Sequence, residues 1–111
     1  MTVEIYLSEE FKRQFKRLAK NFHSLPSDFK TFVRGMETAP MQGTDFGNGM
    51  RKVRMAIASK GKGKSSGARV IAYHVVVEHD KIEITLLTIY DKSELANVSD
   101  SYLKSLLSSL L

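Results

Sequence analysis

The chain lacks cysteine, long apolar runs and, over one segment, acidic residues. With no Cys among its 111 residues, it can form neither disulfides nor cysteine-ligated metal sites, and it has no thiolate nucleophile. Its apolar runs fall short of the roughly 20 residues that cross a bilayer. Its first residues also do not combine a basic segment with an apolar one, as a secretory signal does. We therefore predict a cytoplasmic protein.

Histidine is scarce as well. The three histidines are His23, His74 and His79. They have neither the i,i+4 spacing nor a nearby arrangement of carboxylates that would mark a metal site. The phenylalanines concentrate in the first 32 residues at helical spacing, which is typical of a core and not of a cofactor pocket. The sequence therefore predicts no metal and no cofactor.

The overall composition indicates a folded protein with excess positive charge. Hydrophobic residues make up 42% of the chain and charged residues 26%, which are ordinary values for a globular protein. We expect residues 1–111 to form one domain. The formal net charge of +5 favours nucleic acid, an acidic protein or an anionic membrane surface as the partner. Charge by itself does not choose among these three.

The positive charge is concentrated in the segment that lacks acids. Residues 46–77 contain seven Lys or Arg residues and no Asp or Glu, so a polyanion is the partner that fits this segment best. Around Val53, polar and apolar residues alternate with the period of a strand, which places Lys52 and Arg54 side by side on one face. A loop containing Lys60, Lys62 and Lys64 follows. Arg69 then lies just inside the next strand.

Periodicity and capping signals predict the remaining elements. A short strand ends at Ser8, which caps an amphipathic helix. A second helix begins in the segment 24–28 and stops before Pro40. Residues 41–49 are predicted to be loop. Further strands are expected at residues 52–57, 68–77 and 81–90, and a last helix follows Ser99 or Asp100. The basic face of the first helix is more simply explained as a solvated surface than as a nucleic-acid contact.

These elements define an α+β fold. We predict that the N-terminal strand and the two-helix hairpin pack on a mostly antiparallel four-stranded sheet, followed by a short C-terminal helix. The segment 81–90 is apolar on both faces, as an interior strand requires.

The element order and four short motifs resemble the RelE/ParE superfamily of toxins, most closely its HigB-like branch. The likeness covers nearly the whole chain, and the motifs are fairly specific in combination. They are Arg51-Lys52-Val53-Arg54, Lys60-Gly61-Lys62-Gly63-Lys64, Gly67-Ala68-Arg69-Val70-Ile71 and Leu87-Thr88-Ile89-Tyr90-Asp91-Lys92-Ser93-Glu94.

The resemblance implies a RelE-like fold and the toxin of a type II toxin–antitoxin pair. Such a toxin is a metal-independent endoribonuclease, an mRNA interferase that cleaves mRNA on the ribosome and so inhibits translation. Its partners are mRNA, the ribosome and a cognate protein antitoxin, here expected to be of the helix-turn-helix type. A membrane partner is not implied.

The resemblance also assigns site residues. Lys52 and Arg54 match the paired basic residues of the second strand, and Arg69 matches the phosphate-stabilising arginine of the third. The arginine expected after the last strand is Ser93 here, and the C-terminal catalytic tyrosine falls near Ser99. The general acid is therefore reassigned to Tyr90 or Lys92. Lys52 is the candidate base, because neighbouring cations disfavour the charged form of an amine. RNA contacts are expected from Arg51, Lys60, Lys62 and Lys64.

Two other functions use the same features. One is a ParE-like inhibitor that binds DNA gyrase without nuclease chemistry, since a fold does not decide a function. The other is a nucleic-acid-binding protein or a decayed toxin, for which positive charge suffices. The basic loop and the paired strand cations favour the nuclease.

Overall fold

The computed structural model describes residues 2–61, 66–95 and 97–110. These residues form strands, helices and a 3-10 turn. In order they are β1 (Thr2–Leu7), α1 (Glu9–Ala19), α2 (Leu25–Thr38), β2 (Thr44–Gly47), β3 (Met50–Met55), a 3-10 turn (Ala58–Lys60), β4 (Ala68–Glu78), β5 (Lys81–Asp91) and α3 (Asp100–Ser108).

The strands form one mixed sheet in the order β1-β5-β4-β3-β2. β1 pairs with β5 in parallel, and the other three pairings are antiparallel. The α+β class, the mostly antiparallel sheet and the interior position of β5 are therefore confirmed. The predicted number of four strands is wrong by one.

The extra strand is β2, which lies in the segment predicted to be loop. Thr44, Asp45 and Gly47 pair with β3, and the chain reverses through Asn48 and Gly49. Gly47 and the two turn residues have positive φ, at 80°, 56° and 81°, a conformation that Gly and Asn adopt most readily. The glycine-rich segment is thus a hairpin turn, and its flanking strand is too short to show a period of two.

The helix boundaries agree with the predicted caps. The Ser8 hydroxyl accepts a hydrogen bond of 3.0 Å from the backbone N–H of Phe11, and the Ser99 hydroxyl accepts one of 3.1 Å from Tyr102. These bonds satisfy N–H groups that a helix start otherwise leaves unpaired. α2 begins with Pro26 in its first turn and ends at Thr38, before Pro40.

The two faces of the sheet are covered differently. Phenylalanines of α1 and α2 meet above one face, where the rings of Phe11 and Phe29 lie 5.5 Å apart, and they pack on a large buried cluster from the strands. On the other face, α3 covers only a smaller cluster around Ile71 and Leu87. No helix within the described residues covers the part of this second face near β3, which we call the open face. Within the described residues, no helix is both long and apolar enough to cross a membrane.

Candidate active site

Strand register brings the predicted cations together on the open face. In the sheet, Arg54 lies directly opposite Arg69, and Arg69 lies directly opposite Tyr90. Lys52 is two residues before Arg54 and therefore shares its face. Gly67 allows β3 and β4 to meet closely here, because a Cβ at this position would clash with the carbonyl oxygen of Met55.

These side chains border a cleft of about 440 Å³. Its lining residues are Gln42, Gly43, Thr44, Lys52, Val53, Arg54, Arg69 and Lys92. Four of the eight are cationic and none is acidic. Of the predicted catalytic residues, the structure thus gathers Lys52, Arg54, Arg69 and Lys92 around one space. A site with this charge and no carboxylate attracts a phosphate group.

Arg69 is the deepest of the four cations. It is only 6% exposed, and its Nη1 donates a hydrogen bond of 3.2 Å to the carbonyl of Ala68. Burial lowers the pKa of the Arg69 guanidinium, and the positive charge of Arg54 across the strand pair lowers it further. The guanidinium nevertheless stays protonated, since arginine titrates far above neutral pH. An anion in the cleft would relieve both unfavourable effects.

Lys52 and Arg54 are held less tightly. The ammonium of Lys52 lies 5.4 Å from the centroid of the Phe46 ring, close enough for a cation–π contact. Phe46 belongs to β2, the strand missing from the predicted fold. The Arg54 side chain is exposed at the mouth of the cleft.

Tyr90 lies beside the cleft without lining it. The residue is 6% exposed, and its hydroxyl is buried with no hydrogen-bond partner among the described residues. Burial raises the pKa of the Tyr90 phenol, against the opposing effect of the Arg69 charge, so the phenol stays protonated at neutral pH. Tyr90 borders a separate cavity of about 430 Å³ together with Tyr102, whose hydroxyl donates to Glu10 at 2.7 Å. Lys92 therefore has better access to the cleft than Tyr90.

Lys60, for which an RNA contact was predicted, forms an ion pair within the protein. Its ammonium lies 2.6 Å from Oδ1 of Asp91, which is 4% exposed, and 5.6 Å from the centroid of the Phe22 ring. Hydrogen bonding by Lys60 and Ser93 lowers the pKa of the Asp91 carboxyl although burial opposes this. Lys60 thus fixes the start of the basic loop to the end of β5. Lys62 and Lys64 lie outside the described residues.

Arg51 projects from the opposite face of β3. Its guanidinium donates hydrogen bonds to the carbonyls of Gln42 at 3.1 Å and Gly43 at 3.0 Å, and it lies 3.7 Å from the Asp45 carboxylate. Both carbonyls belong to the segment that forms one wall of the cleft. Arg51 therefore holds that wall in place through its contacts with the backbone.

The wall residues Gln42, Gly43 and Thr44 were not singled out from the sequence, and neither was Asp91. The first three carry no catalytic signature, and only the return of the chain from α2 to β2 places them at the cleft. Asp91 could have been noticed as an acid at the end of an apolar strand. Among the described residues, no group of three His, Asp or Glu side chains could share a metal ion.

Comparison with known proteins supports the fold. No protein-family model matches the sequence. Among solved structures, the fold is similar to that of the E. coli toxin RelE, in a mutant form with two arginines replaced by alanine and in its free state. The TM-score is 0.60 and the sequence identity is 11%, and the alignment covers 100% of each chain. At this identity the likeness concerns the fold, and this chain therefore has the RelE fold.

Proposed function

We propose that this protein is the toxin of a type II toxin–antitoxin pair and that it cleaves mRNA. The observation that carries the proposal is the convergence of Lys52, Arg54, Arg69 and Lys92 on a cleft without a lining carboxylate. The fold shared with a known toxin supports it. The HigB-like branch and action on ribosome-bound mRNA are part of the same proposal.

The proposed reaction uses the RNA's own 2′-hydroxyl as the nucleophile. The 2′-oxygen attacks the adjacent phosphorus while its proton passes to a base, and the 5′-oxygen leaves with a proton from an acid. The products are a 2′,3′-cyclic phosphate and a 5′-hydroxyl end. No metal is needed, because fixed cations can stabilise the charge that develops on the phosphorane oxygens.

Each cleft cation has a role in this reaction. Arg69 and Arg54 stand opposite each other and are assigned to the phosphate, since a guanidinium can donate two parallel hydrogen bonds to its oxygens. Lys52 and Lys92 are the two amines of the cleft. We assign proton acceptance to Lys52 and proton donation to Lys92, because Lys92 lines the cleft whereas the hydroxyl of Tyr90 is buried.

The proposed partners follow from the same charge distribution. The cleft suits the phosphates of an mRNA held on the ribosome. A protein antitoxin of the helix-turn-helix type would silence the toxin by covering the cleft, and acidic side chains are the ones that complement four cations.

The test compares Lys52→Ala with Lys30→Ala, which removes the same charge from an exposed position on α2. Purified proteins are added to ribosomes translating a defined mRNA, and cleavage is mapped by primer extension. We expect the parent and Lys30→Ala to cut the mRNA and Lys52→Ala to bind ribosomes without cutting. Binding by the parent without any cleavage would replace the nuclease with a non-catalytic nucleic-acid binder.

A further inference from the structure

A second, smaller cavity adjoins the cleft on the α2 side of β3. Its volume is about 150 Å³. The lining residues are Asp28, Thr31, Phe32, Gly35, Gln42, Arg54, Met55 and Ala56. Phe32 and Met55 are buried and supply apolar surface, while the side chains of Asp28, Thr31 and Gln42 are polar.

The cavity and the cleft are adjacent. Gln42 and Arg54 line both of them. β2 pairs with β3 only between Met50 and Lys52, so the outer edge of β3 beyond Lys52 has no neighbouring strand among the described residues. A chain whose phosphate lies in the cleft can therefore place its next group over this edge and into the cavity.

The volume of the cavity limits the size of the group that it can bind. An engineered apolar protein cavity of about 150 Å³ holds one benzene molecule, so this cavity accommodates a single six-membered ring. A pyrimidine base is such a ring, whereas a purine has two fused rings. Aromatic and apolar surface suits the faces of a base, and polar groups suit its edge.

Gly35 keeps the cavity open. It lies inside α2, where glycine destabilises a helix relative to alanine, and it is not among the described glycines with positive φ. Its backbone conformation therefore does not require glycine. A Cβ at this position would approach only Nε2 of Gln42, at 3.8 Å, so a longer side chain would extend into the space that the cavity occupies.

Gln42 is fixed in a position to contact the edge of a base. Its Nε2 donates hydrogen bonds of 3.1 Å to the carbonyls of Gly35 and Ala39. The amide orientation is thereby set, and its Oε1 is the atom left to accept a hydrogen bond. Oδ2 of Asp28 already accepts from Ser24 at 2.7 Å and from the backbone of Ala58 at 3.0 Å, so Asp28 shapes the wall.

From these observations we infer that the cavity is a base-binding subsite that takes a pyrimidine next to the phosphate held in the cleft. The inference rests on the proposed nuclease function and adds a sequence preference to it. Cleavage is then favoured where a pyrimidine flanks the scissile phosphate, and Arg54 stands between the base and the phosphate.

The test fills the cavity from Gly35. Gly35→Leu places a side chain in it, Gly35→Ala narrows it slightly, and Thr38→Leu adds the same side chain at an exposed position of the same helix. Each protein cuts a random-sequence RNA pool on ribosomes, and the cut ends are sequenced. In parallel, binding of non-cleavable 2′-O-methyl oligopyrimidine and oligoadenine is measured by titration, and thermal melts confirm folding.

We expect the parent and Thr38→Leu to cut beside pyrimidines, and Gly35→Leu to lose this preference by a factor on the order of tenfold. Gly35→Ala should fall between them, and it keeps the test decisive if Gly35→Leu does not fold. Cleavage without a pyrimidine preference, or a preference that Gly35→Leu leaves unchanged, would overturn the subsite and leave the nuclease standing. Pyrimidine-dependent binding without cleavage would reject the nuclease and keep the subsite. Neither cleavage nor such binding would reject both.

Discussion

Two neighbouring rows of residues cross the same three strands of the sheet. In one row, Val53, Val70 and Ile89 lie opposite one another and face α1 and α2, with exposures of 1%, 0% and 0%. One residue further along β3, the row of Arg54, Arg69 and Tyr90 faces the other side.

The difference between the rows follows from the period of a strand. Successive side chains point to opposite faces. The same three strands therefore carry a buried apolar row on one face and, on the other face, the row that contains two arginines, which we call the cationic row. The apolar row gains stability from burial. The cationic row does not, since burial and mutual repulsion both disfavour the charge of Arg69. The residues that stabilise the fold and the residues proposed to act in cleavage are thus neighbours in sequence on each strand. Substitutions can test whether the two rows act independently.

The largest expected effect is on the apolar row. Ile89→Ala removes a fully buried side chain, which should lower the free energy of unfolding by about 2 to 5 kcal/mol. Urea unfolding followed by circular dichroism measures this loss. At temperatures where the variant is still folded, its mRNA cleavage should match that of the parent. Reduced cleavage by the folded variant would show that the two rows are not independent.

A substitution in the cationic row should reduce cleavage without reducing stability. Arg69→Ala should lower the cleavage rate by about 10² to 10³, the usual cost of losing one donor to a developing anion. Its melting temperature should equal or exceed that of the parent, because a buried charge facing Arg54 is removed. Single-turnover cleavage and thermal melts of both proteins measure the two quantities. A variant that loses cleavage only because it unfolds would contradict the assignment of Arg69 to the site.

An intermediate effect is expected at the Lys60–Asp91 ion pair, where one cation of the basic loop has a structural partner. Lys60→Ala leaves a buried carboxylate without its ammonium, which should cost about 2 kcal/mol, less than for a fully buried pair because Lys60 keeps some exposure. Hydrogen bonding lowers the folded-state pKa of Asp91. The stabilisation is therefore present above the ordinary carboxyl pKa of about 4 and is lost as the pH falls through the lower folded value.

The measurement is the free energy of unfolding of parent and Lys60→Ala between pH 7 and pH 3. The difference between the two proteins should shrink as the pH falls from about 4 towards the lowered pKa of Asp91 in the folded parent, because a protonated Asp91 no longer attracts the Lys60 ammonium. Lys30→Ala serves as the control, since Lys30 is exposed on α2. A difference that does not depend on pH would mean that Lys60 stabilises the fold through its contact with Phe22 instead.

The smallest expected effect is a gain in stability. Gly35→Ala should raise the free energy of unfolding by about 0.5 to 1 kcal/mol, because alanine restricts the unfolded chain and suits a helix interior. The added Cβ meets only Nε2 of Gln42 at an ordinary contact distance. Thermal melts measure the change. An unchanged or lower melting temperature would show that α2 needs glycine at this position for packing.

The sequence by itself determined most of the elements and the face that each charged residue of β3 occupies. Capping by Ser8 and Ser99, the stop before Pro40 and the alternation around Val53 are local properties, so they can be recognised without knowledge of the fold. They predicted α1, α2 and α3, and they placed Lys52 and Arg54 on the same face of one strand. The short strand β2 was missed because four residues ending in a glycine turn carry too little periodicity.

Only the tertiary structure decided which of the basic side chains line the cleft together. Register between β3 and β4 sets Arg54 against Arg69, and the return of the chain from α2 supplies Gln42 as a wall. The same packing turned Lys60 toward Asp91 and Arg51 toward backbone carbonyls, although the sequence presents all of these as similar basic residues. A long cationic side chain can reach several partners, and the nearest buried acid or carbonyl is fixed by the arrangement of distant segments, which no local pattern encodes.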